Sequence, residues 1–182
     1  MKYIKTTLCM MGAVLMMGCF AVELEIPVAT QVATIKGNEA LALAKARLFG
    51  EILEPVRVDQ FSGFGGQQME SIRLESFAVM VTADALEHAD DVDDLAFVES
   101  MVIYVRSVDP DSELDDVAVG WYYADEADLV DPAVLVFEVD DEMSLDDYFA
   151  EGFELYSKSV GLVPADDVAV QAFANFIAIP AQ

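Results

Sequence analysis

Hydrophobic and polar side chains alternate along most of the chain with a period of two, which is the pattern of a half-buried β-strand. Near the start, Val22, Leu24 and Ile26 fall on one face, while Glu23 and Glu25 fall on the other. Similar segments follow at short intervals, separated by clusters of Asp, Pro and Gly: FVESMVIYVRSV, VAVGWYYA, AVLVFEV, GFELYSKSV and VAVQAFANFIAI. The pattern predicts a mainly β protein.

One segment, ESIRLESFAVMVTA, changes phase in its middle. Ile72 and Leu74 share the first inward phase, and Phe77, Val79 and Val81 share the second. Such a shift indicates either a β-bulge or a strand that crosses from one sheet to another. Because about seven or eight strands of this kind follow one another without alternating helices, we expect an antiparallel β-sandwich, immunoglobulin-like or jelly-roll-like, rather than a parallel sheet.

Two central segments predict which side chains form the core. In FVESMVIYVRSV, Met101, Ile103 and Val105 fall on one side, opposite the tyrosine and the arginine. Trp121 is in phase with the two preceding valines of VAVGWYYA, so packing in the core is favoured over a sugar-stacking platform. One of the two tyrosines that follow it must face outward.

Two short segments have helical rather than strand character. Asn38 can cap the run EALALAKARLFGEIL, in which Leu41, Leu48 and Ile52 lie near one face, and this predicts one short amphipathic helix of about three turns. In SLDDYF, Ser144 and Asp147 have the spacing of a capping box, which predicts a single helical turn between two strands.

The first residues have the layout of a signal peptide. Lys2 and Lys5 precede an uncharged run that extends from Thr6 to Val22, which is short for a membrane-spanning helix. The run closes with LMMGC at residues 15–19, and this motif resembles the lipobox of bacterial lipoprotein precursors. An alternative is a signal peptide cut by the general signal peptidase that happens to contain a cysteine.

The lipobox resemblance implies that residues 1–18 are removed and that residues 19–182 form a lipid-anchored domain. Cys19 would carry a diacylglyceryl thioether and an acylated amino group, and these chains (palmitate among them) would anchor the protein in a membrane. Phe20 and Ala21 differ from the aspartate signal that retains some lipoproteins in the inner membrane, so the outer membrane of the cell envelope is favoured. Because Cys9 lies in the removed segment, the mature domain must fold without a disulfide.

The charge of the chain limits its partners. Loss of Lys2 and Lys5 would leave seven basic and 34 acidic side chains, so the formal charge would change from −25 to −27. Such a chain repels phosphate backbones and anionic lipid surfaces, and we therefore expect no nucleic-acid partner and membrane attachment through lipid alone. Its many Val, Ile, Leu and Phe residues predict a folded domain rather than disorder.

Acidic clusters raise the possibility of a calcium site. The segment DPDSELDD contributes Asp109 and Asp111, but it has Leu114 where an EF-hand loop requires Gly. The segment HADDVDDL contributes four further weak candidates, at Asp90, Asp91, Asp93 and Asp94. In so acidic a chain, solvated acidic connections are the better interpretation, so no cofactor is expected and calcium stays a weak alternative.

Catalytic signals are sparse. His88 is the only histidine and lies among acids, which would raise its pKa and suit neither a general base nor a zinc ligand. No GxSxG motif is present to hold a nucleophilic serine. A carboxylate pair of the kind found in glycoside hydrolases has many possible members, and nothing selects two of them.

Beyond residue 19 the resemblance to small bacterial surface lipoproteins is architectural and implies no functional residues. We expect a non-enzymatic envelope lipoprotein, a lipid-tethered β-sandwich with a structural, adhesion or ligand-binding role and an envelope protein or polysaccharide as partner. The alternative is an envelope hydrolase that acts on a carbohydrate through a carboxylate pair. A deep cleft with two facing acids would favour the hydrolase, and a filled sandwich would favour the binding protein.

Overall fold

Two antiparallel sheets make up the protein in a computed structural model, which describes residues 23–53, 55–58, 69–82, 93–125 and 131–181. These residues form eleven strands and two short helices. The predicted β-sandwich is therefore confirmed. The strands outnumber the expected seven or eight for two reasons. The segment AVLVFEV forms two strands, one in each sheet. Three further strands, at Ala33–Ile35, Arg47–Gly50 and Val56–Val58, have only three or four residues, too few for an alternating pattern to be recognised.

The first sheet has its longest strands at its centre. The strand order is β1-β11-β5-β8, and β2 pairs with β11 beyond the end of β1. The bounds are β1 (Leu24–Ala29), β2 (Ala33–Ile35), β5 (Met69–Val81), β8 (Val134–Val136) and β11 (Val168–Pro180).

The second sheet is built around β6 and β10. The strand order is β3-β10-β6-β7-β9, and β4 pairs with β10 at the end that β3 leaves open. The bounds are β3 (Arg47–Gly50), β4 (Val56–Val58), β6 (Val98–Ser107), β7 (Val117–Tyr123), β9 (Glu138–Val139) and β10 (Phe153–Leu162).

The core lies between the two sheets and consists of their inward-facing side chains. Phe153 of β10 and Phe176 of β11 are both fully buried, and their rings meet edge to face with centroids 5.8 Å apart. The predicted inward residues of β6, Met101, Ile103 and Val105, are buried as well. Each such side chain contributes about 1.5–3 kcal/mol through removal from water.

The phase change in β5 is a β-bulge, which is one of the two alternatives that the sequence predicted. Ser76 pairs with Asn175 and Leu74 pairs with Phe176, so Glu75 is an extra residue in β5. Both Glu75 and Ser76 are exposed, while the apolar residues on either side of them are buried. The bulge therefore lets a single strand keep two differently phased apolar sets in one core.

A second bulge, in β7, overturns the prediction that Trp121 packs in the core. Ile103 pairs with Gly120 and Tyr104 pairs with Ala118, so Val119 is the extra residue. The bulge shifts the phase of the rest of β7, and Tyr122 takes the buried position instead. Trp121 lies opposite the outward-facing Val102 and is only partly buried.

The first helix is much shorter than the expected three turns. Helix α1 covers Glu39–Leu43, and the side chain of Asn38 caps it by accepting a hydrogen bond from the Leu41 N–H at 3.0 Å, as predicted. Leu48 lies in strand β3 rather than in a helix, and Ile52 lies in the connection that follows β3. The proposed helical face of Leu41, Leu48 and Ile52 therefore does not form.

A Schellman motif ends α1. Lys45 adopts a left-handed conformation with φ of 52°, and its N–H donates to the Ala42 carbonyl at 2.9 Å. The Ala46 N–H donates to the Leu41 carbonyl at the same distance. These two bonds satisfy the last carbonyls of the helix and turn the chain into β3. The position usually belongs to Gly, so the lysine gave no signal of a helix end.

Helix α2 (Asp146–Glu151) links β9 to β10, as the sequence predicted, but without the capping box. The N-cap residue is Leu145, which makes no side-chain capping bond, and Ser144 Oγ accepts only from the Asp146 N–H at 3.3 Å. The helix start is held by β5 instead. The Leu145 N–H donates to the Ile72 carbonyl at 2.8 Å, and the Ile72 N–H donates to Asp146 Oδ1 at 2.6 Å.

Within the described ranges, no helix is long and apolar enough to span a membrane.

Candidate binding surface

The outer face of the second sheet gathers aromatic and basic side chains, and we call it the aromatic face. Strand registers place its members in neighbouring rows: Trp121 beside Val102 and Lys158, and Tyr104 beside Tyr156. Its aromatic members are Phe49, Tyr104, Trp121, Tyr123 and Tyr156, and its basic members are Arg47, Arg57, Arg106 and Lys158.

Two stacked tyrosines form the centre of the aromatic face. The rings of Tyr104 and Tyr156 lie 5.2 Å apart with an interplanar angle of 17°. Lys158 Nζ lies 4.5 Å from the Tyr104 ring centroid and 5.5 Å from that of Tyr156, and the Arg106 guanidinium lies 4.7 Å from the Tyr156 centroid. Each cation–π contact at a partly exposed site is worth about 0.5–1 kcal/mol.

The Tyr156 hydroxyl connects this centre to the loop before β7. It donates a 2.5 Å hydrogen bond to Asp116 Oδ2, and the neighbouring Asp115 carbonyl accepts a 2.6 Å bond from the Tyr148 hydroxyl. Burial, followed by the bond to Asp116, raises the pKa of Tyr156 far above its ordinary value. Tyr156 therefore stays protonated in alkaline solution where an exposed tyrosine ionises, and its hydroxyl serves as a hydrogen-bond donor.

Glu154 lies between two arginines at one end of the aromatic face. Arg106 Nε donates a hydrogen bond to Glu154 Oε1, and Arg57 Nε lies 3.8 Å from Glu154 Oε2. The bond from Arg106 is the main cause that raises the pKa of its guanidinium, which keeps that group charged. The Glu154 side chain is only 13% exposed, so it binds Arg106 with limited screening by water.

The aromatic face holds an unusual share of the positive charge. Seven Lys and Arg side chains follow residue 18, and four of them lie on this face, against 34 acids in the whole chain. Three of the four are paired with Glu99 or Glu154. Lys158 forms no ion pair with any described carboxylate, and its side chain is exposed.

These groups have the chemistry that recognises sugar rings. Trp121 is partly exposed and Tyr123 is 41% exposed, so both present ring surface to solvent. Such rings stack on the apolar face of a pyranose, and a lysine ammonium donates to hydroxyl or carboxylate oxygens. The sequence contained part of this signal, because VIYVRS and FELYSKS alternate aromatic and charged residues on their polar faces.

The acidic candidates for calcium do not converge on one site in the part of the chain that the structure describes. Asp109 Oδ1 accepts from the Asp111 N–H at 2.9 Å, and Asp94 Oδ1 accepts from the Ala96 N–H at 3.0 Å, so each carboxylate holds its own turn. Asp93 is buried, in a different segment from Asp109. No group of three or more metal-ligand side chains occurs among the described residues.

Several predicted positions lie outside the described residues, namely Cys19, His88, Asp90 and Asp91. The hydrolase alternative also has no residues assigned to it. Three cavities between the sheets and on their outer surface, all lined by described residues, have no Asp or Glu side chain in their walls.

Comparisons with known proteins add little. No protein-family model matches the chain, and no curated protein matches it. Among solved structures, one similar chain comes from the cryo-EM structure of Mud crab tombus-like virus. The similarity covers 91% of this chain and 93% of the viral chain, at 11% identity and a TM-score of 0.32. At that TM-score the similarity supports no functional argument.

Proposed function

We propose that this chain is a non-enzymatic lipoprotein of the bacterial cell envelope that binds a polysaccharide on its aromatic face. The observation that carries the proposal is the concentration of five aromatic and four basic side chains on one sheet face of a strongly acidic protein. The acidic side chains elsewhere on the protein repel anionic ligands. A ligand with hydroxyl and carboxylate groups therefore meets the least repulsion on the aromatic face.

The proposed contacts divide into stacking and hydrogen bonding. Trp121 and Tyr123 lie two residues apart on β7 and present ring surface to solvent, so they are placed to stack on successive sugar rings. Lys158 lies two strands away in the same row as Trp121, where its ammonium is placed to donate to a carboxylate of the same polymer. The stacked tyrosines beneath it hold this lysine in place.

The lipid anchor is the second part of the proposal. Cys19 precedes the start of β1 at Leu24 by five positions, so a short tether would join the lipid to the sandwich. Two or three acyl chains hold a soluble domain at a bilayer because each buried methylene contributes about 0.8 kcal/mol. The outer membrane is the favoured location.

The single tryptophan provides a direct test of ligand binding. Trp121 is the only tryptophan in the chain, so its emission reports on the aromatic face alone. We expect an acidic polysaccharide such as polygalacturonate, or soluble peptidoglycan fragments, to shift that emission in a saturable titration. The variant Lys158→Gln should weaken the response, whereas the matched variant Lys36→Gln, directly after β2 of the other sheet, should not. Equal responses in both variants would reject the proposed site.

The anchor is tested separately. Cys19→Ser should either leave the precursor uncleaved or release the protein from the membrane fraction. A variant that is processed normally and stays with the membrane would contradict the lipoprotein assignment, whatever the polysaccharide titration shows.

A further inference from the structure

A groove opens between the edges of the two sheets, beside Arg57 at the margin of the aromatic face. One wall is the turn after β1, with Thr30 and Gln31, and the other is the segment that leads into β4, with Leu53, Val56 and Arg57. The groove has a volume of about 320 Å³. That is within the size range of small-molecule sites, which is about 300–1,000 Å³.

The floor of the groove continues into an apolar recess of about 20 Å³ between the sheets. Thr30, Leu53 and Val56 line both spaces, so the two are adjacent. The recess exists because inward positions of β11 and β10 carry small side chains, namely Ala172, Ala174 and Ser157. A space of this size admits one or two methylene-sized groups.

Hydrogen bonds hold both walls in place. The Thr30 N–H donates to the Ala172 carbonyl at 2.9 Å, and Thr30 Oγ1 accepts from the Ala172 N–H at 3.0 Å. On the opposite wall, the Leu53 N–H donates to Ser157 Oγ at 3.3 Å. The groove is therefore pre-formed, and a ligand that enters it does not have to order the walls.

A cation lies at the mouth of the groove. The Arg57 side chain is 66% exposed, and its only described ion pair is the 3.8 Å contact with Glu154. Arg106 already donates a hydrogen bond to that carboxylate. No hydrogen bond between described residues uses the Arg57 guanidinium, so its N–H donors are open to a carboxylate in a two-point contact.

We infer that the groove binds an aliphatic carboxylate, a single-chain fatty acid whose end carbons enter the recess and whose head group meets Arg57. The recess is lined mostly by Val, Leu, Ile, Phe and Ala side chains, so it favours the end of a hydrocarbon chain and excludes a sugar ring, whose hydroxyls would lose water without finding partners there. The groove outside the recess adds the polar groups of Thr30, Gln31 and Arg57. The carboxylate is selected by Arg57 rather than by the overall charge of the protein. The site shares Arg57 with the margin of the aromatic face but uses none of the three side chains proposed to contact a polysaccharide, namely Trp121, Tyr123 and Lys158, so it does not depend on that proposal.

Photolabelling of the purified full chain tests the inference. A diazirine-bearing medium-chain fatty acid is added, irradiated and mapped by mass spectrometry. We expect label on Leu53, Val56 and their neighbours. Ala174→Leu, which fills the recess, should reduce labelling about tenfold, which corresponds to about 1.4 kcal/mol. Ala78→Leu, the same change on the outer face of the same sheet, should leave labelling unchanged.

Two further variants separate the possible failures. If Ala174→Leu does not fold, Val56→Trp fills both spaces from the opposite wall and should reduce labelling similarly. Arg57→Gln should reduce labelling by the acid but not by the alcohol of equal chain length. Label spread evenly over the surface, or labelling unchanged by Ala174→Leu and Val56→Trp, would overturn the site. Loss of acid and alcohol labelling together in Arg57→Gln would overturn the carboxylate assignment.

Discussion

Tyr104 and Tyr156 lie directly opposite each other on β6 and β10, and their rings stack at 5.2 Å on the solvent side of the second sheet. The pair thus lies outside the core between the sheets. Through the Tyr156 hydroxyl it also holds Asp116, at the end of the loop that precedes β7. One pair of side chains therefore links the centre of the aromatic face to the loop beside it.

Removal of that hydroxyl should destabilise the protein. Tyr156→Phe leaves the stacked ring in place but deletes the donor to a carboxylate, and hydrogen bonds to charged groups contribute about 1.5–3 kcal/mol. Because Asp116 is exposed and recovers water, we expect a loss of about 1–2 kcal/mol in urea unfolding. Tyr104→Phe is the matched control, since the Tyr104 hydroxyl takes part in no hydrogen bond between described residues, and an equal loss in both would contradict this account.

The free energy of unfolding should fall more steeply with rising alkaline pH than it does in a typical protein. Burial raises the pKa of Tyr122, Tyr148 and Tyr156, whereas the same tyrosines ionise near pH 10 in the unfolded chain. Above about pH 10 the unfolded state therefore loses protons that the folded state retains, and stability falls by up to about 1.4 kcal/mol per pH unit for each tyrosine. Below that pH their contribution is fully present.

Thermal unfolding between pH 8 and pH 11.5 measures this effect. The unfolding midpoint should be constant up to about pH 9.5 and then fall. The midpoint of Tyr156→Phe should fall less steeply than that of the unmodified chain. A midpoint that rises with pH in this window would mean that the buried tyrosines ionise more readily in the folded state.

Truncation of Phe176 should destabilise the packing between the two sheets. Phe176→Ala removes a fully buried ring that meets Phe153 across the core, and such truncations cost about 3–5 kcal/mol. Phe173→Ala, three residues earlier in the same strand, removes a ring that is 39% exposed on the outer face and should cost less than about 1 kcal/mol. Chemical denaturation of both variants decides whether the sandwich interior carries the stability.

A close backbone approach makes Gly161 sensitive to substitution. A Cβ at this position would lie 2.3 Å from the Phe97 carbonyl oxygen, a backbone atom that cannot rotate away. Gly161→Ala should therefore cost about 1–3 kcal/mol and shift β10 against β6. At Gly120 the nearest atoms would be 3.5 Å away, so Gly120→Ala should be nearly neutral in the same unfolding assay.

Calcium should stabilise the protein no more than magnesium does. The carboxylates of Asp94 and Asp109 accept backbone hydrogen bonds in their own turns, and a specific site would raise stability by RT ln(1 + [L]/Kd), about 2.7 kcal/mol at a hundredfold excess over Kd. We expect equal midpoints in the two ions at matched ionic strength, raised only by screening of the net charge of −25. A rise specific to calcium would restore the acidic loops as a metal site.

Period-two patterning was enough to predict the sheets and much of the core. Ile72, Leu74, Phe77 and Val79 all face inward, and the phase change between them is the bulge at Glu75. That prediction succeeded because a strand with one buried face must alternate, so any exception leaves a visible break in the sequence.

The hydrophobic pattern did not predict two backbone features, because no residue type in the sequence signals them. The bulge at Val119 turns Trp121 outward, but the apolar run around it reads the same in either phase. The left-handed conformation of Lys45 ends α1 in the middle of a run of good helix formers. The aromatic face depends on pairing between β6 and β10, two strands separated by some fifty residues, and a local pattern contains no information about that pairing.

The position of β11 has a consequence for the biogenesis of the protein. This strand is last in sequence yet central in its sheet, with β1 and β2 along one side and β5 along the other. The earlier strands of that sheet lack their main partner until residues 168–180 have been synthesised, so native pairing of the sheet waits for β11. The strands of this sheet therefore stay without their central partner until β11 is made, which is compatible with the export proposed above.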